Sequence, residues 1–277
     1  MQDRLGTGHF NNSWRLIDST EDPSFFVRFL DATRTRAYEF ARNNPAAAFA
    51  HLELAADQTV LDVGCGTGDM LALIARQVGS GRAVGIEVSQ VMVDEARKRH
   101  ADVAANLEFA PMDARDLSFP DNEFDRVLAT QLLVHVPEPE RAFREMCRVV
   151  KPGGKVVLAD IDWDGITLGC SNRELGRRFA RLFCDGLQNG TVVHEYTGWF
   201  KEAGFTGMQI LPQPILMNDW SMLRQWMVEP SLRQFVADKT FSEREAESLM
   251  HDLVERERLG KTFCGATLYT VLATKKA

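Results

Sequence analysis

The sequence has no pair of cysteines at CxxC spacing and no cysteine–histidine cluster with zinc spacing. Its five cysteines, Cys65, Cys147, Cys170, Cys184 and Cys264, are scattered and odd in number. That pattern suggests neither a zinc site nor a metal of any kind and points to a reduced, cytoplasmic protein. No apolar run is long enough to span a bilayer, and "MQDRLGTGHFNNSW" lacks the apolar centre of a secretory signal. Positive charge is not in excess either: 32 Lys and Arg stand against 39 Asp and Glu, for a net charge of −7. This balance disfavours a protein built to grip a phosphate backbone, while leaving room for a local basic patch. Internal repeats and low-complexity tracts are absent.

What is present is an ordinary globular composition, 45% hydrophobic and 26% charged over 277 residues. That length supports one sizeable core with an accessory region. From Thr59 onward, short apolar runs alternate with segments of helical period. The pattern predicts strands at Thr59–Gly64, Arg82–Val88, Leu107–Asp113, Phe124–Thr130 and Lys155–Ile161. It predicts helices at Asp69–Val78, Ser89–His100 (Ser89 as N-cap) and Glu138–Val150. Such alternation implies an α/β fold with a mostly parallel sheet and helices on both faces. Beyond it come helices at Asn172–Leu187 and Glu195–Phe205, a strand at Thr206–Pro212, a Met/Trp-rich stretch, a charged helix and a last strand. The expected organisation is an N-terminal helical cap over 1–54, a core over 55–212, a helical insertion over 213–261 and a closing strand over 262–277.

The stretch "VLDVGCGTGDM" (Val60–Met70) is the most informative. In a doubly wound sheet the first strand-to-helix turn lies at the carboxyl edge, where ligands bind. Glycines there let the backbone turn sharply and approach a ligand. These glycines, Gly64, Gly66 and Gly68, follow a GxGxG pattern. The dinucleotide fingerprint asks for a glycine where Asp69 stands. An acid at the helix start would also repel a pyrophosphate. Glu87, about twenty residues on, suits a ribose diol. Asp113 in "MDARDL" suits an adenine amine, with Asp116 as its rival, and the N–H of Ala114 suits the ring edge. A ribose, an adenine and a carboxylate-bearing tail without phosphate describe S-adenosylmethionine.

At these residues the sequence resembles the class I S-adenosylmethionine-dependent methyltransferases. "LDVGCGTGD" is similar to their first motif, "GIEVSQVMVDEAR" to the segment with the ribose-binding acid, and "DARDLSFPDNEFDRVLATQLLVHVPEPERAFREMCRVVKPGGKVVLAD" to the third to fifth strands of the small-molecule branch. That branch includes quinone C-methyltransferases and natural-product methyltransferases. The resemblance implies a Rossmann-like seven-stranded sheet whose last strand is antiparallel and inserted beside the fifth. It implies cofactor contacts from Asp62, Gly64, Cys65, Gly66, Gly68, Glu87, Val88, Met92, Asp113, Ala114 and Gln131. Asp62 would bind the methionine amine or brace the turn. Met92 would pack on adenine or fill core. Gln131 would act through its backbone carbonyl.

Methyl transfer to a protonated nucleophile is helped by a base. His135, after the fourth strand, has a suitable imidazole, or else only braces its loop. Asp160 and Asp162, at or beyond the end of the fifth strand, are the other candidates, with Asp164 nearby. His9 and His194 lie outside the motifs. The aromatic and Met residues of the flanks predict an apolar or aromatic small-molecule acceptor touched by Trp14, Tyr38, Trp163, Trp199, Met217 and Trp220. Nucleic acid and membrane are not expected partners, and a homodimer stays open. Two rivals remain: the same fold binding the cofactor without transferring methyl, and a methyltransferase of RNA or protein.

Overall fold

The computed structural model describes residues 10–43, 49–103 and 105–277, the side chains at 10–13, 15 and 34–42 excepted. Among them, seven strands form one sheet in the order β3-β2-β1-β4-β5-β7-β6. The strands are β1 (Thr59–Val63), β2 (Arg82–Glu87), β3 (Leu107–Pro111), β4 (Phe124–Thr130), β5 (Val150–Leu168), β6 (Thr206–Leu216) and β7 (Cys264–Thr274). The first five run parallel to one another, and β7 lies antiparallel between β5 and β6. The closing strand is therefore beside the fifth, as the resemblance implies.

Successive strand residues face opposite sides of the sheet. Leu61, Val127, Val156 and Val271 enter one core, while Val60, Leu128, Val157 and Leu272 enter the other. Both faces are covered, so these strands read as continuous apolar runs rather than as an alternation. Each fully buried Val or Leu contributes about 1.5–3 kcal/mol. The covering helices are α1 (Ser24–Asn43), α2 (Asp69–Val78), α3 (Gln90–His100), α4 (Pro139–Val149), α5 (Arg173–Asp185) and α6 (Tyr196–Glu202). Ser89 caps α3 as its sequence predicts, its Oγ accepting the Met92 N–H at 3.3 Å. After β6, α7 (Trp220–Leu223) passes through a π-helical turn (Arg224–Val228) into α8 (Glu229–Ala237). A capping box of Ser242 and Glu245 opens α9 (Glu243–Arg258).

Two strands outrun their sequence patterns. β6 continues through Pro212 and Pro214 to Leu216, so the helical insertion begins later than position 213. Proline reads as a strand breaker, yet an edge strand tolerates it because the outer N–H has no ladder partner. β5 continues past Ile161 to Leu168 because β7 offers it a long antiparallel partner. Asp162 faces Thr267 and Thr167 faces Gly265, so the strand bulges between them. That bulge lies at the carboxyl end of the parallel strands, where bulges re-aim side chains.

The N-terminal segment docks on α3. A 3₁₀ stretch (Phe10–Ser19) and α1 form a third cluster in which Ile17, Phe26, Leu30 and Met92 are buried. Asp18 accepts from the Ser89 hydroxyl and from the N–H groups of Gln90 (2.7 Å) and Val91 (3.3 Å). A carboxylate at a helix N-terminus satisfies orphan donors and complements the helix dipole. Asp31 of α1 completes the docking with a two-point pair to Arg99 of α3, at 2.6 and 2.9 Å.

Candidate active site

The glycine loop is pinned to β2, since the N–H groups of Gly64 and Cys65 both donate to the Ile86 carbonyl, at 2.8 and 2.9 Å. Gly64 and Gly68 have φ of +75° and +76°, and a Cβ would lie 2.6 Å from Leu132 Cδ1 and 2.5 Å from Phe109 Cε1 respectively. Both conformation and space therefore demand glycine. Glu87 closes the opposite side. Its Oε2 accepts from the Gly66 N–H at 3.2 Å, and its Oε1 accepts from Val88 N–H (2.8 Å) and Ser89 N–H (3.2 Å). Asp62 and Cys65 are buried at the base of the loop. Val88 leaves 49% of its surface exposed beside Glu87.

Asp69, the acid at the helix start, turns aside. It accepts from Thr67 Oγ1 at 2.8 Å and lies 3.3 Å from His100 Nε2 and 3.5 Å from Arg99. Burial opposes its charge, but hydrogen bonds from His100 and Thr67 and the Arg99 guanidinium outweigh that, and its pKa falls below the ordinary 3.8. The charge at the helix start is thus paired within the protein. Asp113 is partly buried where its rival Asp116 is exposed. Arg115 grips both its oxygens, Nε at 3.0 Å and Nη2 at 2.7 Å, and these bonds lower its pKa. Ala114 is buried next to it. Gln131, after β4, takes φ of +51°, with its N–H on the Ala159 carbonyl at 2.6 Å. A non-glycine residue held there stores strain, and such strain clusters at functional sites.

Of the two places open to Met92, the structure shows the core one. Only 1% exposed, it is sealed under Ile17, Phe26 and Leu30 and serves as core.

The loop after β4 carries His135, and an aromatic layer covers it. Trp14 stacks on His135 with centroids 5.5 Å apart and also meets Phe26 and Phe29 edge-on. Phe25 and Phe29 in turn meet Trp226 of the π-helical turn, at 4.6 and 5.1 Å. The two flanks thus join over the carboxyl edge of the sheet. Other expected acceptor residues have core partners instead. Trp199 lies against Phe143 and Tyr196, Trp163 against Phe183, and Trp220 and Met217 pack on the main core. The side chain of Tyr38 and the whole of His9 lie outside the described residues.

The acids beyond the fifth strand divide. Asp160 has no exposed surface and accepts from the Tyr196 hydroxyl at 2.5 Å. Burial, and then the carboxylate of Asp160, push Tyr196 well above its ordinary 10.0. Expected as a base facing the acceptor, Asp160 is an interior hydrogen-bond partner, because β7 and α6 close over it. Asp164 is an exposed charge in the bulged part of β5. Asp162 meets His194, Oδ1 to Nε2 at 3.2 Å. Thirty-two positions separate the pair, and no local pattern announces it. Asn189 ties His194's segment to the His135 loop, donating Nδ2 to the Leu133 and Val136 carbonyls and its N–H to that of Val134.

Residues 60–154 match the methyltransferase domain family. The chain is 40% identical over 106 residues to the ubiquinone/menaquinone biosynthesis C-methyltransferase UbiE of Escherichia fergusonii, covering 37% of this chain and 42% of that one. It is 35% identical over 159 residues to the O-methyltransferase resE of Aspergillus sclerotiorum, covering 56% and 58%. It spans about half the length of the curated relatives it matches. The YcgJ protein of Bacillus subtilis shares the fold, with a TM-score of 0.61 over 85% of this chain and 99% of that one at 18% identity. Residues 60–154 are thus a methyltransferase domain, similar to those of the class I S-adenosylmethionine-dependent enzymes. The donor set fits that family's cofactor. Glu87 only accepts hydrogen bonds, which suits ribose hydroxyls and not phosphate.

Proposed function

We propose that this methyltransferase acts on an apolar or aromatic small molecule in quinone-type or secondary metabolism. The observation that carries the reading is the aromatic layer of Trp14, Phe25, Phe29 and Trp226 above the His135 loop, next to the Glu87–glycine loop. Such a layer excludes water and offers ring faces to an apolar guest. In this reading the glycine loop, Asp62 and Gln131 hold the amino-acid end of the cofactor, and Cys65 packs beneath the turn. Glu87 and Val88 hold the ribose side, and Asp113 with Ala114 hold the adenine. When bound, the cofactor supplies a methyl group already activated on a sulfonium. The chain's residues align the acceptor and keep water out.

The acidic charge supports a small-molecule acceptor over nucleic acid. Five free cysteines support a reducing, cytoplasmic setting, and no helix among the described residues is long and apolar enough to cross a membrane. Exposed Met208, Ile210, Leu211 and Leu216 on β6 support a homodimer through that strand's faces. Incubation with isotope-labelled S-adenosylmethionine and fractionated small-molecule extract, followed by mass identification of the labelled product, tests the reading. Label found only in RNA or protein, or in no product at all, would overturn it.

A further inference from the structure

We infer that His194 and Asp162 form a proton-accepting pair for an acceptor hydroxyl, so that the substrate class is a phenol-type alcohol. The inference rests on the methyltransferase reading above. Four observations lead to it.

Asp162 is the last residue of β5 in register with β7 before the bulge. The bulge ends the regular ladder at the carboxyl edge of the parallel strands, beside the loop that carries Gln131 and His135. Second, a carboxylate oxygen accepts and never donates, so Nε2 of His194 carries the hydrogen of the 3.2 Å contact. That fixes the tautomer and leaves the Nδ1 lone pair to take a proton. Third, the side chain of His194 is 48% exposed and that of Asp162 only 16%. The imidazole faces outward and its orienting acid sits behind it, the arrangement a base needs. Fourth, the pair is stitched to the reaction edge. Asn189 binds three carbonyls of the His135 loop, and the Trp163 N–H donates to Gly190 at 3.3 Å.

The competing histidine is differently placed. His135 has Trp14 stacked on its ring. His194 has the Asp162 carboxylate on its Nε2. Nearby, the buried Cys184 thiol is pushed up to about 11 by burial and then by Asp164, Asp185 and Asp162.

The proton step balances. The O–H bond of the acceptor breaks and its electron pair stays on oxygen, which becomes the nucleophile. The proton passes to Nδ1, giving an imidazolium whose Nε2–H still donates to Asp162. The exposed edge of the ring returns that proton to water.

A test without turnover uses 4-nitrophenol, whose phenolate is yellow. Titrated into protein loaded with S-adenosylhomocysteine, just below the pH at which the free probe ionises, it should turn yellow on binding. His194→Gln should abolish the colour and Asp162→Asn should weaken it, with S-adenosylhomocysteine affinity unchanged by calorimetry in both. In turnover with S-adenosylmethionine and phenol, His194→Gln should lower the rate by about 100- to 10,000-fold, the range for a general base. A probe that stays colourless, or a colour that survives His194→Gln and disappears in His135→Gln, overturns the pair. S-adenosylhomocysteine binding in those same samples keeps the methyltransferase reading standing when the pair fails. Failure of S-adenosylhomocysteine to bind removes that reading and the pair with it.

Discussion

Trp14 lies over His135 with ring planes 29° apart, so a residue from the N-terminal cap touches the loop that follows the fourth strand. The cap is also held by Asp18 on the start of α3 and by Asp31 on Arg99. Asp18 docks on the residues that follow Glu87. We expect the cap to open for cofactor exchange and to close over the bound pair to exclude water. In hydrogen exchange, amides of residues 14–31 should gain protection when S-adenosylhomocysteine is added. High protection that does not change with ligand would mean a fixed layer.

The stack itself is measurable. Trp14→Ala and His135→Ala should each weaken S-adenosylhomocysteine binding. The double variant should show a coupling of about 0.5–1.5 kcal/mol, the scale of an aromatic pair. Turnover of the cofactor-bound fraction should change by less than about tenfold in His135→Ala, far below the loss of a general base. A collapse of turnover with affinity intact would instead make His135 the base.

Glu87 carries two burdens. It receives three backbone N–H groups from Gly66, Val88 and Ser89, and in the proposed complex it receives the ribose hydroxyls. Glu87→Ala should cost about 1.5–3 kcal/mol of S-adenosylhomocysteine affinity, as for a hydrogen bond to a charged group. Calorimetry showing wild-type affinity would remove Glu87 from the ribose role.

Gly68 tolerates no side chain. Alanine there would adopt φ of +76° with Cβ only 2.5 Å from the Phe109 ring. Left-handed backbone costs about 1–2 kcal/mol and overpacking about 1–3 kcal/mol, so Gly68→Ala should lose about 2–5 kcal/mol in denaturant unfolding. Gly153, with φ of +77° but open space around it, should lose only the conformational part.

Tyr196 makes stability fall at high pH. Its folded pKa is raised well above 10.0 by burial and by Asp160, while in the unfolded chain it is ordinary. Below pH 10 both states keep the proton and the contribution is complete. Above it only the unfolded chain releases the proton, so stability falls as pH rises. Tyr196→Phe should flatten that alkaline slope in chemical denaturation. At neutral pH it should cost about 1–3 kcal/mol, because buried Asp160 loses the Tyr196 hydroxyl as a donor. An unchanged slope would show that other groups set the alkaline limit.

Local physics made much of this protein legible in its sequence. The apolar runs fixed β1, β2 and β4, because strands buried on both faces are mostly apolar. Ser89 announced the start of α3 through its own hydroxyl. The three loop glycines and Glu87 could be read together, since the loop's geometry is decided within some twenty-five residues. Long-range pairing settled the rest. β6 ran through two prolines because β7 accepted it as an edge. Met92 became core because a distant N-terminal cluster closed over it. Asp160 lost its place facing the acceptor once Tyr196 found it from α6. His194, in no motif, met Asp162 because a bulge aimed one and Asn189 anchored the other. A side chain's chemistry is local, but its burial and its partner belong to whichever segment the folded chain brings against it.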